Sequence, residues 1–251
     1  MKSFRGISGL FVILALVCSV MGSSLLSSTD GVPRQLRWKG DTIKIALSSS
    51  LFRTGQIKAG ADTRQAIERS LATWEAAANI RFEVTFSDEQ NVSPSGPVGD
   101  GISLITIAQS AENVLLFGKQ AESHPATTRI FYSGSGQISE ADIVLNPFQQ
   151  FSTDGTFGTF DLESTLTHEI GHLLGLDHSA IFGSTMYPNH GKNGVYAMTQ
   201  FNARTLSISD LSGIRSLYPE NVLDLECCGS VVGRLTNSER EPAAGAGLWL
   251  E

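Results

Sequence analysis

Cysteine is nearly missing from this chain of 251 residues. Cys18, Cys227 and Cys228 are the only three, so no thiol lies between positions 19 and 226. A disulfide-rich scaffold is therefore excluded for that stretch, and its stability has to come from packing, helped by any metal it binds. Charge is scarce as well: 17% of residues are charged, against ~25% in an average domain. Together with 25 glycines this argues against a coiled-coil or long-helical protein and for a mixed α and β chain with many turns. Basic residues are outnumbered, giving a net charge of -7 and an isoelectric point near 5.3. That balance excludes a nucleic-acid binder working through a basic surface. No apolar run reaches the ~20 residues that span a bilayer. The length suits one large domain or two small ones.

What is present begins with an export pattern. Lys2 and Arg5 precede an almost wholly apolar run over 10–21, and Gly22, Ser23 and Ser24 follow it. A basic start, a short apolar stretch and small residues at its end predict a secretory signal peptide over 1–22. The mature protein is then expected outside the cell with no membrane span. Residues 23–36, rich in Ser and Gly before Val32, Pro33 and Arg34, read as a linker or short pro-segment. The globular pattern runs over 37–221. A tail over 222–251 is of different material, with two short apolar runs around a polar turn that weakly resemble the first strands of a carboxypeptidase-regulatory-like β-sandwich. Two strands are not stable alone, so this tail reads as the start of a truncated domain or as a segment that pairs elsewhere.

Within the globular region, 42–47 alternates as a strand with Ile43, Ile45 and Leu47 on one face. Residues 62–78 carry Ala66, Ile67, Ser70, Leu71 and Trp74 at helical spacing, with Asp62 as the expected cap. Further strands are expected over 80–86, 102–108, 128–132 and 141–145, and a loop over 87–101.

The chemistry is concentrated in 161–178. Leu162, Leu166, Ile170, Leu173 and Leu174 make an apolar helical stripe, and Asp161 can cap its first turn. His168 and His172 are four apart, one above the other on a single face. Two such imidazoles can reach one metal ion, and Glu169 beside the first is placed to accept a proton from water held there. Gly175 allows the chain to leave the helix and double back, so that His178 can approach the same ion from another direction. Three histidines leave a fourth position open, the catalytic rather than the structural arrangement. The full pattern is H-E-x-x-H-x-x-G-x-x-H, and Ser184, Thr185, Met186, Tyr187 and Pro188 follow it.

Together these residues resemble the metzincin zinc endopeptidases, in which the extended zinc motif is followed by a methionine-bearing turn beneath the metal. Ser179 after the third histidine, the Met186-Tyr187-Pro188 turn, the approach over 138–146 and the closing run over 210–219 are similar to the matrixin, or matrix-metalloproteinase-like, group. The resemblance implies an α+β, zincin-like fold: a twisted, mostly parallel sheet with an antiparallel edge strand, a long active-site helix and a C-terminal helix. It implies one catalytic zinc on His168, His172 and His178, Glu169 as general base and then acid, and Met186 as support. Protein or peptide substrates would lie extended along an edge strand at 127–133, including Arg129, Ile130 and Phe131. Residues 187–204, with Tyr187 and Pro188 first, would wall the pocket for the side chain after the scissile bond. A monomer is expected.

Departures from the family are equally readable. Only His124 and His190 remain after the catalytic three, so a second structural zinc on three histidines cannot be assembled. His124, before Pro125, reads as a solvated loop residue; for His190 a place on the cleft rim with a substrate role stays open. No cysteine is available to block the metal from a pro-segment. Calcium is a candidate second cofactor at Asp88, Asp100 and Asp154, for which solvated loop acids are the competing reading. The competing function is a catalytically silent secreted binding or adhesion module. It is disfavoured because a decayed site usually loses its glutamate or a ligand, and all are present here.

Overall fold

The computed structural model describes residues 24–29, 32–96, 98–120, 122–194 and 203–219. The expected signal peptide over 1–22 and the tail over 222–251, with Cys227 and Cys228, lie outside the described residues. Five strands share one sheet in the order β3 (Arg81–Ser87), β2 (Thr42–Ser48), β4 (Leu104–Thr106), β6 (Gln137–Leu145), β5 (Ala126–Tyr132). The two-residue β1 (Arg37–Trp38) pairs with the start of β6. All pairings are parallel except β5 against β6, which is antiparallel with Thr128 opposite Ile143. The fold is thus α+β, a mostly parallel sheet with one antiparallel edge strand. A small parallel pair, β7 (Phe151–Ser152) and β8 (Phe160–Asp161), lies outside the main sheet.

Alternation along the strands decides what the sheet buries. Ile43, Ile45 and Leu47 of β2 join Ala141, Ile143 and Leu145 of β6 in the main core. Two helices cover that face, α1 (Thr63–Glu75) and α3 (Leu162–Leu173). Each starts on an aspartate whose side chain accepts a first-turn N–H, Asp62 from Gln65 at 2.9 Å and Asp161 from Ser164 at 2.8 Å. The helices are joined by more than apolar contact. The Trp74 indole donates to the Thr167 carbonyl at 2.8 Å, Ser70 Oγ donates to the Glu163 carbonyl at 3.0 Å, and Arg69 Nε pairs with Glu163 at 2.7 Å.

The opposite face of β6 carries Glu140, Asp142 and Val144, all buried. Val144 joins Val92 and Phe117 in a second, smaller cluster. Asp142 accepts the N–H of Leu104 at 3.0 Å and of Ser93 at 3.1 Å. Burial, reinforced by the neighbouring Glu140 and Asp100, pushes its carboxyl pKa up to about 7 even though these two bonds pull it down. Strand β3, expected over 80–86, is mostly exposed. It is an edge, and Val84 and Phe86 stay exposed, with the Arg64 guanidinium 4.4 Å from the Phe86 ring centre. Between β4 and β5 a short helix, α2 (Ala111–Leu115), is capped by Ser110.

The end of α3 is closed by two distant aromatic residues. The Trp38 indole donates to the Leu173 carbonyl at 2.9 Å, and the Tyr218 hydroxyl donates to the Leu174 carbonyl at 2.8 Å while accepting the Trp38 N–H at 3.0 Å. These bonds satisfy carbonyls that a helix terminus leaves without partners. Tyr218 directly follows the C-terminal helix α4 (Ile208–Leu217), which begins with a capping box between Ser207 and Asp210.

Candidate active site

Helix α3 presents His168 and His172 four residues apart, and Gly175 turns the chain back at φ +102°. The turn is tight. A Cβ on Gly175 would lie 2.1 Å from the Leu36 carbonyl oxygen, so only glycine fits there without moving backbone. His178 is thereby returned to the helix. Its Nε2 lies 3.1 Å from Nε2 of His172, which lies 3.1 Å from Nε2 of His168. Among the described residues this trio is the one group of three His, Cys, Asp or Glu side chains that brings its ligand atoms within 4.8 Å of one another.

The donor chemistry tests whether a metal fits. Nδ1 of His168 is 2.7 Å from the Thr185 carbonyl, and Nδ1 of His172 is 2.8 Å from the Leu176 carbonyl. A carbonyl only accepts, so both Nδ1 atoms carry the proton and both neutral rings present a bare lone pair at Nε2. Two such lone pairs 3.1 Å apart repel unless a cation lies between them. Tetrahedral zinc, with Zn–N bonds of ~2.0–2.1 Å, places its ligand nitrogens about 3.3 Å apart. The residues fit zinc. Burial, and then the neighbouring imidazoles, hold the pKa of His168 well below the ordinary histidine value and that of His172 at about 4; burial lowers that of His178 as well. Metal binding requires these neutral rings.

Glu169 is buried, 5% exposed. Burial raises its carboxyl pKa to about 7 against the opposing effect of one hydrogen bond, from Thr128 Oγ1 on β5 to Oε2 at 2.5 Å. Thr128 was not singled out by the sequence. Strand alternation defines two faces of β5 without saying which one meets α3.

Beneath the histidines, Met186 is fully buried against Gly171, where a Cβ would come 2.3 Å from the methionine sulfur. The methionine turn is held from α4. Asp210, also fully buried, accepts the hydroxyl of Ser184 and the N–H groups of Thr185, Met186 and Ser207. The Thr185 carbonyl that orients His168 is thus itself fixed by Asp210.

A cavity of about 550 Å³ opens over these groups. It is lined by the three histidines and Glu169, by Ala126, Thr128, Ile130 and Tyr132 of β5, and by Pro188. Of the residues expected along the cleft, Ile130 and Pro188 face it. Arg129 and Phe131 do not. They alternate to the other face of β5, where Arg129 donates to the Ser93 carbonyl and to Ser95 Oγ and Phe131 is buried. Tyr187 packs edge-on against Phe182, with ring centres 5.4 Å apart. Residues 195–202 of the expected pocket wall lie outside the described residues.

His124, expected in solvent, is half-buried and lines the cavity. His190 also lines it. Its ring centre is 4.7 Å from that of His168, and its Nε2 is 3.2 Å from the Thr185 carbonyl. Of the acids considered for calcium, Asp154 is paired with Lys58 at 2.6 Å, Asp100 accepts the N–H of Ile102 at 2.8 Å, and Asp88 is exposed. The cavity is also lined by Leu26 and Ser27, from a stretch whose composition reads as linker.

With this geometry in place, residues 118–219 match the matrixin family of peptidases. The chain is similar to Metalloendoproteinase 1-MMP of Arabidopsis thaliana, 26% identical over 198 residues, which is 74% of this chain and 45% of that protein. It is similar to Metalloendoproteinase 1 of Glycine max, 27% identical over 170 residues, 63% of this chain and 46% of the other. It is also similar to the interstitial collagenase of Oryctolagus cuniculus, 25% identical over 158 residues, covering 63% and 28%. The chain spans about half the length of the plant relatives it matches.

Proposed function

From the premise that the chain belongs to the matrix-metalloproteinase-like family, we propose that it is a secreted zinc endopeptidase that hydrolyses peptide bonds in proteins. The observation that carries the reading is the convergence of three imidazole Nε2 atoms, with two of the Nδ1 atoms already bonded to carbonyls. His168, His172 and His178 would hold the zinc. When bound, zinc supplies a Lewis acid that polarises a carbonyl and lowers the pKa of water.

The remaining work falls to the chain. Thr128 holds Oε2 of Glu169, which leaves Oε1 to take the proton from the attacking water and return it to the departing amine. Among the described residues β5 pairs only with β6. Its other edge is available to an extended peptide, which would add as an antiparallel strand beside Thr128. Secretion is supported by the basic-then-apolar pattern over 1–22, and no described helix is long and apolar enough to cross a membrane.

The test is zymography on a denatured protein substrate, with and without a chelator, on wild type and on Glu169→Ala. Wild type clears the substrate only without chelator. Glu169→Ala retains zinc and loses at least about a hundredfold in hydrolysis. Turnover retained in that variant would overturn the mechanism, and a wild type that binds zinc but clears nothing would favour the silent binding module.

A further inference from the structure

Residues 24–29 form a strap beside the cavity, and its backbone is fixed at several points. Asp177 N–H donates to the Ser24 carbonyl and Leu26 N–H to the Gly175 carbonyl, each at 2.9 Å, on either side of an antiparallel bridge between Leu25 and Leu176. Leu36 N–H donates to the Leu26 carbonyl at 2.8 Å. Farther along, Thr29 reaches the end of β5. Its N–H is 3.4 Å and its Oγ1 3.2 Å from the Tyr132 hydroxyl. Between these anchors Leu26 and Ser27 face the same cavity as Ile130, Tyr132 and the three histidines.

The direction of a bound peptide gives this placement a meaning, given the proposed function above, in which substrate lies antiparallel to β5. Residues before the scissile bond then run from Thr128 toward Tyr132. Four strand steps separate those two, about 13 Å at ~3.3 Å per residue. The strap therefore stands roughly where the third or fourth residue before the scissile bond arrives. We infer that residues 24–29 form the end wall of the cleft and select an apolar substrate side chain there, packed against Leu26 and Ile130. Because the strap is held through its backbone on one side and through Tyr132 on the other, the wall is a fixed part of the site. A strap that only supported the His178 turn would affect all substrates alike, whatever their length.

The experiment uses the full chain loaded with zinc. Peptides that share their residues after the scissile bond carry two, three, four or five residues before it, leucine in the third and fourth places. They are titrated onto Glu169→Ala, which reads binding without turnover. The longer peptides are expected to bind about tenfold tighter than the two-residue one, as for one leucine side chain removed from water. Leu26→Ala in the same background brings that ratio to within about twofold of one. Tyr132→Phe, which removes both Thr29 contacts, lowers it as well and serves if Leu26→Ala does not fold. A ratio near one with the strap intact, or a ratio unmoved by both substitutions, overturns the inference. The same peptides are then offered to wild type. Length-dependent binding without cleavage leaves the strap standing and overturns the endopeptidase reading, whereas cleavage with an unmoved ratio overturns the strap alone. Failure of every peptide to bind overturns both.

Discussion

The Thr128 hydroxyl lies 2.5 Å from Oε2 of Glu169, so the strand that borders the cleft also aims the buried carboxylate. Thr128→Val keeps the shape and removes the donor, leaving Oε2 buried without a partner. We expect kcat to fall about tenfold to a hundredfold with zinc content unchanged, and Thr128→Ser to recover most of the loss. Steady-state kinetics beside metal analysis checks this, and an unaltered kcat in the valine variant would refute it.

Gly175→Ala forces a side chain into a left-handed conformation and against the Leu36 carbonyl. The expected result is a destabilisation of about 3 kcal/mol or more, from strain plus a backbone clash. Zinc affinity falls with it, because the turn delivers His178. Urea unfolding and competition with a chromogenic chelator measure the two effects.

Asp210→Ala removes an acceptor from three donors at the methionine turn and from the Ser207 N–H at the start of α4. Each buried unsatisfied group costs about 1–3 kcal/mol, so we expect at least ~3 kcal/mol of lost stability. Asp210 touches no metal ligand, yet zinc should bind more weakly, because the Thr185 carbonyl that orients His168 is released. A variant that loses stability at unchanged zinc affinity would show that the turn does not orient the ligand.

Asp142 makes stability depend on pH in a known direction. Its carboxyl pKa is raised from 3.8 to about 7 in the folded chain, so the fold favours the protonated acid. That contribution is fully present below about pH 4 and is lost as the pH rises through about 7. In Asp142→Asn it is absent at all pH values. The cost of the substitution should therefore shrink between pH 5 and pH 8, by ~2–4 kcal/mol. Parallel urea titrations at the two pH values give this difference, and a cost that grows with pH would show the sign to be wrong.

What could be read from the chain follows the range over which each feature is encoded. Helix α1 (Thr63–Glu75) falls inside the expected 62–78, and both Asp62 and Asp161 cap as expected, because stripe and cap lie within a few residues of each other. The histidine spacing is equally local. The partners of the site are not. Thr128 meets Glu169 across 41 positions and Ser184 meets Asp210 across 26. Strand alternation separates Arg129 and Phe131 from Ile130 but does not say which face meets the helix. Helix α2 covers only five residues, too few for a periodicity to emerge. The strap over 24–29 is held largely through backbone N–H and carbonyl groups, which every residue type carries, so no side-chain pattern announces it.

The two aromatic residues that close α3 limit how portable the site is. Trp38 and Tyr218 stand 180 positions apart, yet together they bond the carbonyls of Leu173 and Leu174 at the end of the helix that carries His168 and His172. The family-matching stretch 118–219 holds all three histidines, Glu169, Met186 and Tyr218. It does not hold Trp38, nor Trp74, whose indole bonds the Thr167 carbonyl one residue before His168. Transplanted by itself, that stretch would carry the three histidines and Glu169 on a helix that has lost both indole donors, the one at its Leu173 end and the one beside His168. The chemistry is written in one segment, and the rigidity that makes it usable is supplied by another.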